Sequence, residues 1–97
     1  MHIISKRTLR EFWELHPDAE QPLLAWHAEV KHADWSSPND VKAQYGSASI
    51  LKGCRIVFNI AGNSYRLVVH VNYAIKVVYI RFVGTHSEYD SIDAEIV

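Results

Sequence analysis

The sequence predicts an α+β domain, with helices in the first half packed on an antiparallel sheet in the second. Three observations predict it. Apolar residues recur at helical spacing as far as about residue 33. After Gly46 the pattern changes to short runs rich in Val, Ile, Tyr and Phe, separated by turn residues. The chain has 97 residues, 48% of them apolar, which leaves room for one hydrophobic core, so residues 1–97 are expected to form a single domain.

Each element follows from local signals. His2-Ile3-Ile4 reads as a short strand. Ser5 stands where it can cap a helix running to about His16, with Leu9, Phe12, Trp13 and Leu15 as its apolar positions. Pro17 ends that helix or opens the next turn. A second helix is expected from about Ala19 to Ala33, with Leu23, Trp26 and Val30 as its inner stripe beside Leu24 and His27. Ser37-Pro38 reads as the cap and first residue of a short third helix ending near Gly46. Arg55–Ile60, Ser64–Asn72 and Lys76–Val83 read as three strands, to which Ser47–Leu51 adds a fourth. Ala61-Gly62-Asn63 and Tyr73-Ala74-Ile75 are short enough for hairpins, which makes the sheet a meander. Thr85 followed by Glu88 three residues on is a capping box, so a short helical turn is expected there.

Charge is distributed unevenly. The net charge is -1, but residues 41–87 contain six bases and no acid: Lys42, Lys52, Arg55, Arg66, Lys76 and Arg81. The segments on either side are acidic. Such a basic block attracts a polyanion. The alternative is a set of solvated bases paired with nearby acids.

Strand alternation then groups the bases. Successive side chains point to opposite faces of a sheet. Ile56, Phe58 and Ile60 share one face, as do Tyr65, Leu67, Val69 and Val71, and Val78, Ile80 and Phe82. These are expected to meet the helices. The opposite face then carries Arg55, Arg66 and Arg81, one from each strand, with His70 and a tyrosine, and is expected to be open. Arginine suits phosphate because its planar fork binds oxygens bidentately and keeps its charge. The competing reading is arginines laid along the sheet by snorkelling.

Three stretches resemble the HigB toxins, in the RelE-like branch of bacterial toxin–antitoxin systems. They are Met1-His2-Ile3-Ile4-Ser5, the hairpin Phe58-Asn59-Ile60-Ala61-Gly62-Asn63-Ser64-Tyr65-Arg66-Leu67-Val68, and the ending Tyr79-Ile80-Arg81-Phe82-Val83-Gly84-Thr85-His86-Ser87-Glu88-Tyr89-Asp90. The resemblance is weakest over residues 16–50. It implies a RelE-like fold, with two N-terminal helices on a twisted antiparallel sheet of three to four strands. It also implies an endoribonuclease that cuts mRNA, usually on the translating ribosome. The implied partner is a HigA-like antitoxin with a helix-turn-helix domain, which links the toxin indirectly to DNA.

Metal-independent RNA cleavage needs a base for the 2′-OH, cations around the phosphate, and an acid for the leaving 5′ oxygen. Arg66 and Arg81 suit the cationic role, and the resemblance implies the same role for basic residues in these two strands. Lys52 and Arg55 are further RNA-binding candidates, with His70 and Asn63. Asn63 is also turn chemistry, together with Asn59 and Gly62. His86 leads for proton transfer because imidazole titrates near neutral pH. Its alternative is a structural role in the capping turn. Tyr89 is second: it can donate a proton, stack on a base, or pack the C-terminal turn on the sheet. Asp90 can orient His86 or bond at the surface. RelE departs from this set, using lysines and a tyrosine. A non-catalytic module that binds RNA or the ribosome would share the basic face. A purely structural subunit that recruits a DNA-binding partner is a third possibility.

No cofactor and no metal site are expected: His27 and His32 are five apart, not the four that puts two ligands on one helical face. Cys54 reads as a small buried hydrophobe and fits a reducing compartment. Trp13 and Trp26 read as core, whereas Trp35 reads as a loop residue exposed for a partner. The acidic helical half is a plausible place for a partner held by apolar contact. No run of 18 apolar residues occurs and the N-terminus lacks a signal-peptide pattern, so a cytoplasmic protein with no membrane association is expected.

Overall fold

The computed structural model describes all 97 residues, Met1–Val97. In order it contains β1 (His2–Ile4), α1 (Lys6–Leu15), a 3-10 turn (Pro17–Ala19), α2 (Glu20–Lys31), α3 (Pro38–Gln44), β2 (Ser49–Ile50), β3 (Arg55–Ile60), β4 (Tyr65–Asn72), β5 (Val77–Thr85) and α4 (His86–Asp90). One five-stranded sheet has the order β1-β5-β4-β3-β2. The meander β2 to β5 is antiparallel. The fifth strand is β1, which joins the far edge parallel to β5 with Ile3 opposite Val78. Three or four strands were expected, because hairpin logic cannot place a three-residue strand whose partner lies at the other end of the chain.

The helices cover one face of the sheet. In α1, Leu9 and Phe12 are buried and Trp13 is half-buried, but Leu15 is 79% exposed. Six residues turn a helix by roughly 240°, which carries Leu15 off the face that Leu9 defines. Ser5 occupies the N-cap with extended backbone but makes no side-chain capping bond. Leu23, Trp26 and Val30 of α2 are buried as the periodicity predicts. The core centres on Phe58, whose ring meets those of Trp26 at 5.4 Å, Tyr45 at 5.1 Å and Trp35 at 6.3 Å.

Two expectations are corrected here. Trp35 is not exposed; it is buried, and its indole N–H donates to Gln44 Oε1 at 3.0 Å. The α3 helix folds back over the loop, and Lys76 Nζ holds the Trp35 carbonyl at 2.9 Å and Asp34 at 3.0 Å. Cys54 is not buried; it is exposed in a turn where Gly53 and Cys54 both have positive φ, +67° and +59°. That reversal sends the thiol to solvent before β3 begins.

Alternation holds through β3 and β4 but breaks in β5. Val68 pairs with Phe82 and Val69 with Ile80, so Arg81 is the extra residue of a β-bulge. Beyond it the faces exchange. Phe82 leaves the helix side, and Val83 packs against the main core in its place. Phe82 instead joins Val57, Val68 and Ala94 in a second, smaller cluster, with Leu51, Tyr89, Ile92 and Val97 around it. The face expected to be open is therefore crossed in its middle by the C-terminal segment.

Candidate active site

The face opposite the helices is built from three transverse rows. Asn59, Arg66 and Gly84 stand abreast in β3, β4 and β5. The next row is apolar: Val57, Val68 and Phe82, covered by the C-terminal segment. The third is Arg55, His70 and Tyr79. Arg66 and His70 are four residues apart on β4, roughly 13 Å at the usual rise per residue. Arg55, Arg66 and Arg81 thus share a face but do not form one group, because the bulge and the covered row divide it.

At one end stands Arg66. Its Nη1 donates to the Asn63 carbonyl at 3.2 Å and to that of Tyr65 at 3.4 Å, which folds the guanidinium back on the β3–β4 turn. Asn63 is exposed in that turn, where Ala61 and Gly62 have positive φ. Across the ladder from Arg66 is Gly84, followed at once by Thr85 and α4. The expected capping box is present. Thr85 Oγ1 accepts from the Glu88 N–H at 3.2 Å, and Glu88 Oε1 accepts from the Thr85 N–H at 2.8 Å. These bonds hold the Glu88 carboxyl below the usual range. The box fixes the first turn of α4 and so sets His86. His86 Nδ1 lies 3.3 Å from Asp90 Oδ2. With the proton on Nδ1 donated to Asp90, Nε2 is left as an acceptor facing solvent. Tyr89, by contrast, is half-buried against the second cluster, as its packing alternative describes.

At the other end stand Arg55, His70, Tyr79 and Arg81. Arg55 Nε donates to the Val97 main-chain oxygen and Nη1 to the Gly53 carbonyl, both at 3.1 Å. The His70 and Tyr79 rings lie 5.9 Å apart, and the Arg81 guanidinium sits 5.6 Å over the Tyr79 ring. Partial burial, then the charges of Arg55 and Arg81, keep the His70 imidazole below its ordinary pKa. Lys52 is exposed in the loop before β3. Sequence reasoning missed the bulge, the C-terminal cover and the ring of Tyr79 under Arg81. The alternation of Tyr79–Phe82 is regular on its own and carries no sign of the bulge, which exists only relative to β4.

A cavity of about 620 Å³ lies elsewhere, against β1 and the end of α2, lined by residues including His2, His27, Lys31 and Lys76. None of the candidate site residues lines it. The two basic ends of the sheet face, rather than this cavity, suit an extended polyanion.

The family model described as HigB toxin, RelE-like toxic component of a toxin–antitoxin system, matches residues 19–92. The mRNA interferase toxin HigB of Escherichia coli strain K12 is 32% identical over 96 residues, which span 97% of this chain and 92% of that protein. The mRNA interferase HigB of Shigella flexneri is 32% identical over the same shares. The mRNA interferase HigB of Escherichia coli O6:H1 is 26% identical over 94 residues, 95% of this chain and 91% of that protein. With the α+β fold, the Asn63–Arg66 hairpin and the capped turn from Thr85 to Asp90, these matches show that the chain belongs to the HigB toxin family.

Proposed function

We propose that this protein is the toxin of a toxin–antitoxin pair and cuts mRNA as an endoribonuclease, acting on the translating ribosome in the cytoplasm. The observation that carries the proposal is the Arg66 end of the open face. There a guanidinium on β4 stands opposite the residue that leads directly into His86 and its Asp90 partner. The names of the relatives support the same reaction.

The chemistry asked of these residues is transesterification without a metal. The 2′-OH loses its proton to a base, its oxygen bonds to phosphorus, and the bond to the 5′ oxygen breaks as that oxygen takes a proton. His86, oriented by Asp90, is the first candidate for proton transfer, and Tyr89 the second. Arg66 supplies positive charge where the phosphate oxygens become more negative, and Arg81, which shares its face but stands beyond the covered row, supplies charge to the adjoining part of the strand. Lys52, Arg55, Asn63 and His70 hold the RNA on either side. A HigA-like antitoxin with a helix-turn-helix domain is the proposed partner, binding the helical half of the toxin.

The test is cell-free translation of a defined mRNA, with new 5′ ends mapped by primer extension. Cuts that appear only during translation and vanish with His86→Ala or Arg66→Ala are expected. Cuts on naked RNA would remove the ribosome requirement. Arrest with intact mRNA would instead establish a binding module that blocks translation by occupancy.

A further inference from the structure

Three buried side-chain polar atoms have no hydrogen-bond partner: Trp26 Nε1, Tyr73 Oη and His70 Nδ1. His70 alone of these lies on the basic face. Its Nδ1 is buried without a partner near two guanidinium groups, which is costly in the free protein, while the half-buried ring keeps its other nitrogen for a ligand. The cost has a use if a ligand supplies the missing charge.

Resting on the RNA-binding reading above, we infer that Arg55, His70 and Arg81 form a second phosphate subsite, for a nucleotide next to the scissile one, and that the subsite takes up a proton on His70 as it fills. The geometry is that of a clamp. Arg55 is cross-strand partner of His70 on one side, and Tyr79 is its partner on the other. Tyr79 carries the Arg81 guanidinium over its ring, so it acts as a positioning residue. The main-chain oxygens of Gly53 and Val97 fix Arg55 through Nε and Nη1 and leave its Nη2 N–H groups uncommitted.

The charges that face His70 from the sheet are positive, Arg55 from β3 and Arg81 from β5, with the Tyr79 ring between. The C-terminal segment brings Asp93 and Glu95, both solvent-exposed, and the Val97 main-chain oxygen, which is already taken up by Arg55 Nε. The free imidazole is accordingly neutral near pH 7. A phosphodiester placed between the guanidinium groups reverses the local field and stabilises the imidazolium, which adds a charge-assisted hydrogen bond. The covered row of Val57, Val68 and Phe82 separates this subsite from Arg66, so it holds a different phosphate.

The sign of the linkage follows. Binding that raises the imidazole pKa takes up protons, so affinity increases as pH falls. Each unit of rise is worth up to about tenfold in affinity across the titration.

The experiment uses the full chain and a fully 2′-O-methylated single-stranded RNA, which has no 2′-OH to react, at low ionic strength. Histidine ring C–H resonances are titrated from pH 5 to pH 8 by NMR, with and without saturating RNA. An upward shift of the His70 midpoint with RNA, while exposed His32 stays in place, is expected. In calorimetry the rise in affinity towards low pH should shrink in His70→Gln. Binding with an unmoved His70 midpoint would overturn the subsite and leave the RNA-binding reading standing. No binding by the unmodified protein would overturn both.

Discussion

The Phe82 ring lies directly over Gly84, two residues on along β5: a Cβ built at position 84 would sit 2.5 Å from Phe82 Cζ and 3.2 Å from Glu88 Cβ. Hydrogen at position 84 is what lets Phe82 fold over the strand end, after the bulge has moved it to this face. Gly84→Ala must displace either Phe82 from the second cluster or α4 from the sheet. We expect a loss of about 1–3 kcal/mol, the usual cost of overpacking. A thermal melt measures it, and a value equal to the parent's would refute the argument. Cleavage should fall further than stability, because α4 carries His86.

The capping box offers a second prediction. Thr85→Ala removes the oxygen that accepts the Glu88 N–H, at a typical cost of about 1 kcal/mol. The box also has a pH dependence. Glu88 is lowered in the folded state by its bonds to Thr85. Its contribution is therefore in place above the ordinary glutamate pKa, and is lost as pH falls through the lower folded value. Glu88→Gln keeps an acceptor for the Thr85 N–H but cannot titrate. Its α4 should hold at acid pH as well as at neutral pH, read from the amide shifts of residues 86–90. Equal acid loosening in parent and variant would assign the effect to another group.

Phe58 sets the scale for the core. It is 2% exposed and stands between Trp26, Trp35 and Tyr45. Phe58→Ala should cost about 3–5 kcal/mol, a large share of what holds a domain of this size. Denaturant unfolding followed by tryptophan fluorescence checks it, since two of its ring neighbours are tryptophans. A midpoint within error of the parent would mean that the aromatic cluster collapses onto the cavity.

Most of this architecture is legible because it depends on short-range patterns. The buried stripes of α1 and α2, the three long strands, the Pro38 helix start and the Thr85–Glu88 box all depend on spacings of two to four residues. What escaped depends on contacts distant in sequence. Trp35 is buried because α3 and Lys76 close over its loop, which no local pattern encodes. Phe82 and Val83 exchange faces because one residue, Arg81, is inserted relative to β4, and alternation read on a single strand cannot detect an insertion relative to its neighbour. The candidate residues were legible as a face but not as two groups. Their division depends on Ile92, Ala94 and Val97, which lie beyond the last element that the sequence pattern marks.

That division makes the last prediction quantitative. If both ends of the face hold RNA phosphates, each arginine that neutralises one releases counterions from the strand, and binding weakens with salt accordingly. For single-stranded nucleic acid the slope of log affinity against log salt is about -0.7 for each phosphate neutralised. Arg66→Gln and Arg81→Gln should each reduce the slope by about that amount. The double variant should show the sum, because the covered row of Val57, Val68 and Phe82 stands between them. Arg55→Gln should change it less: two of its nitrogens already donate to the oxygens of Gly53 and Val97. Fluorescence anisotropy with a 2′-O-methylated RNA across a salt series supplies the parent's slope and those of the four variants. A double variant no worse than either single one would mean that Arg66 and Arg81 hold the same phosphate, and that the C-terminal segment moves aside when RNA binds.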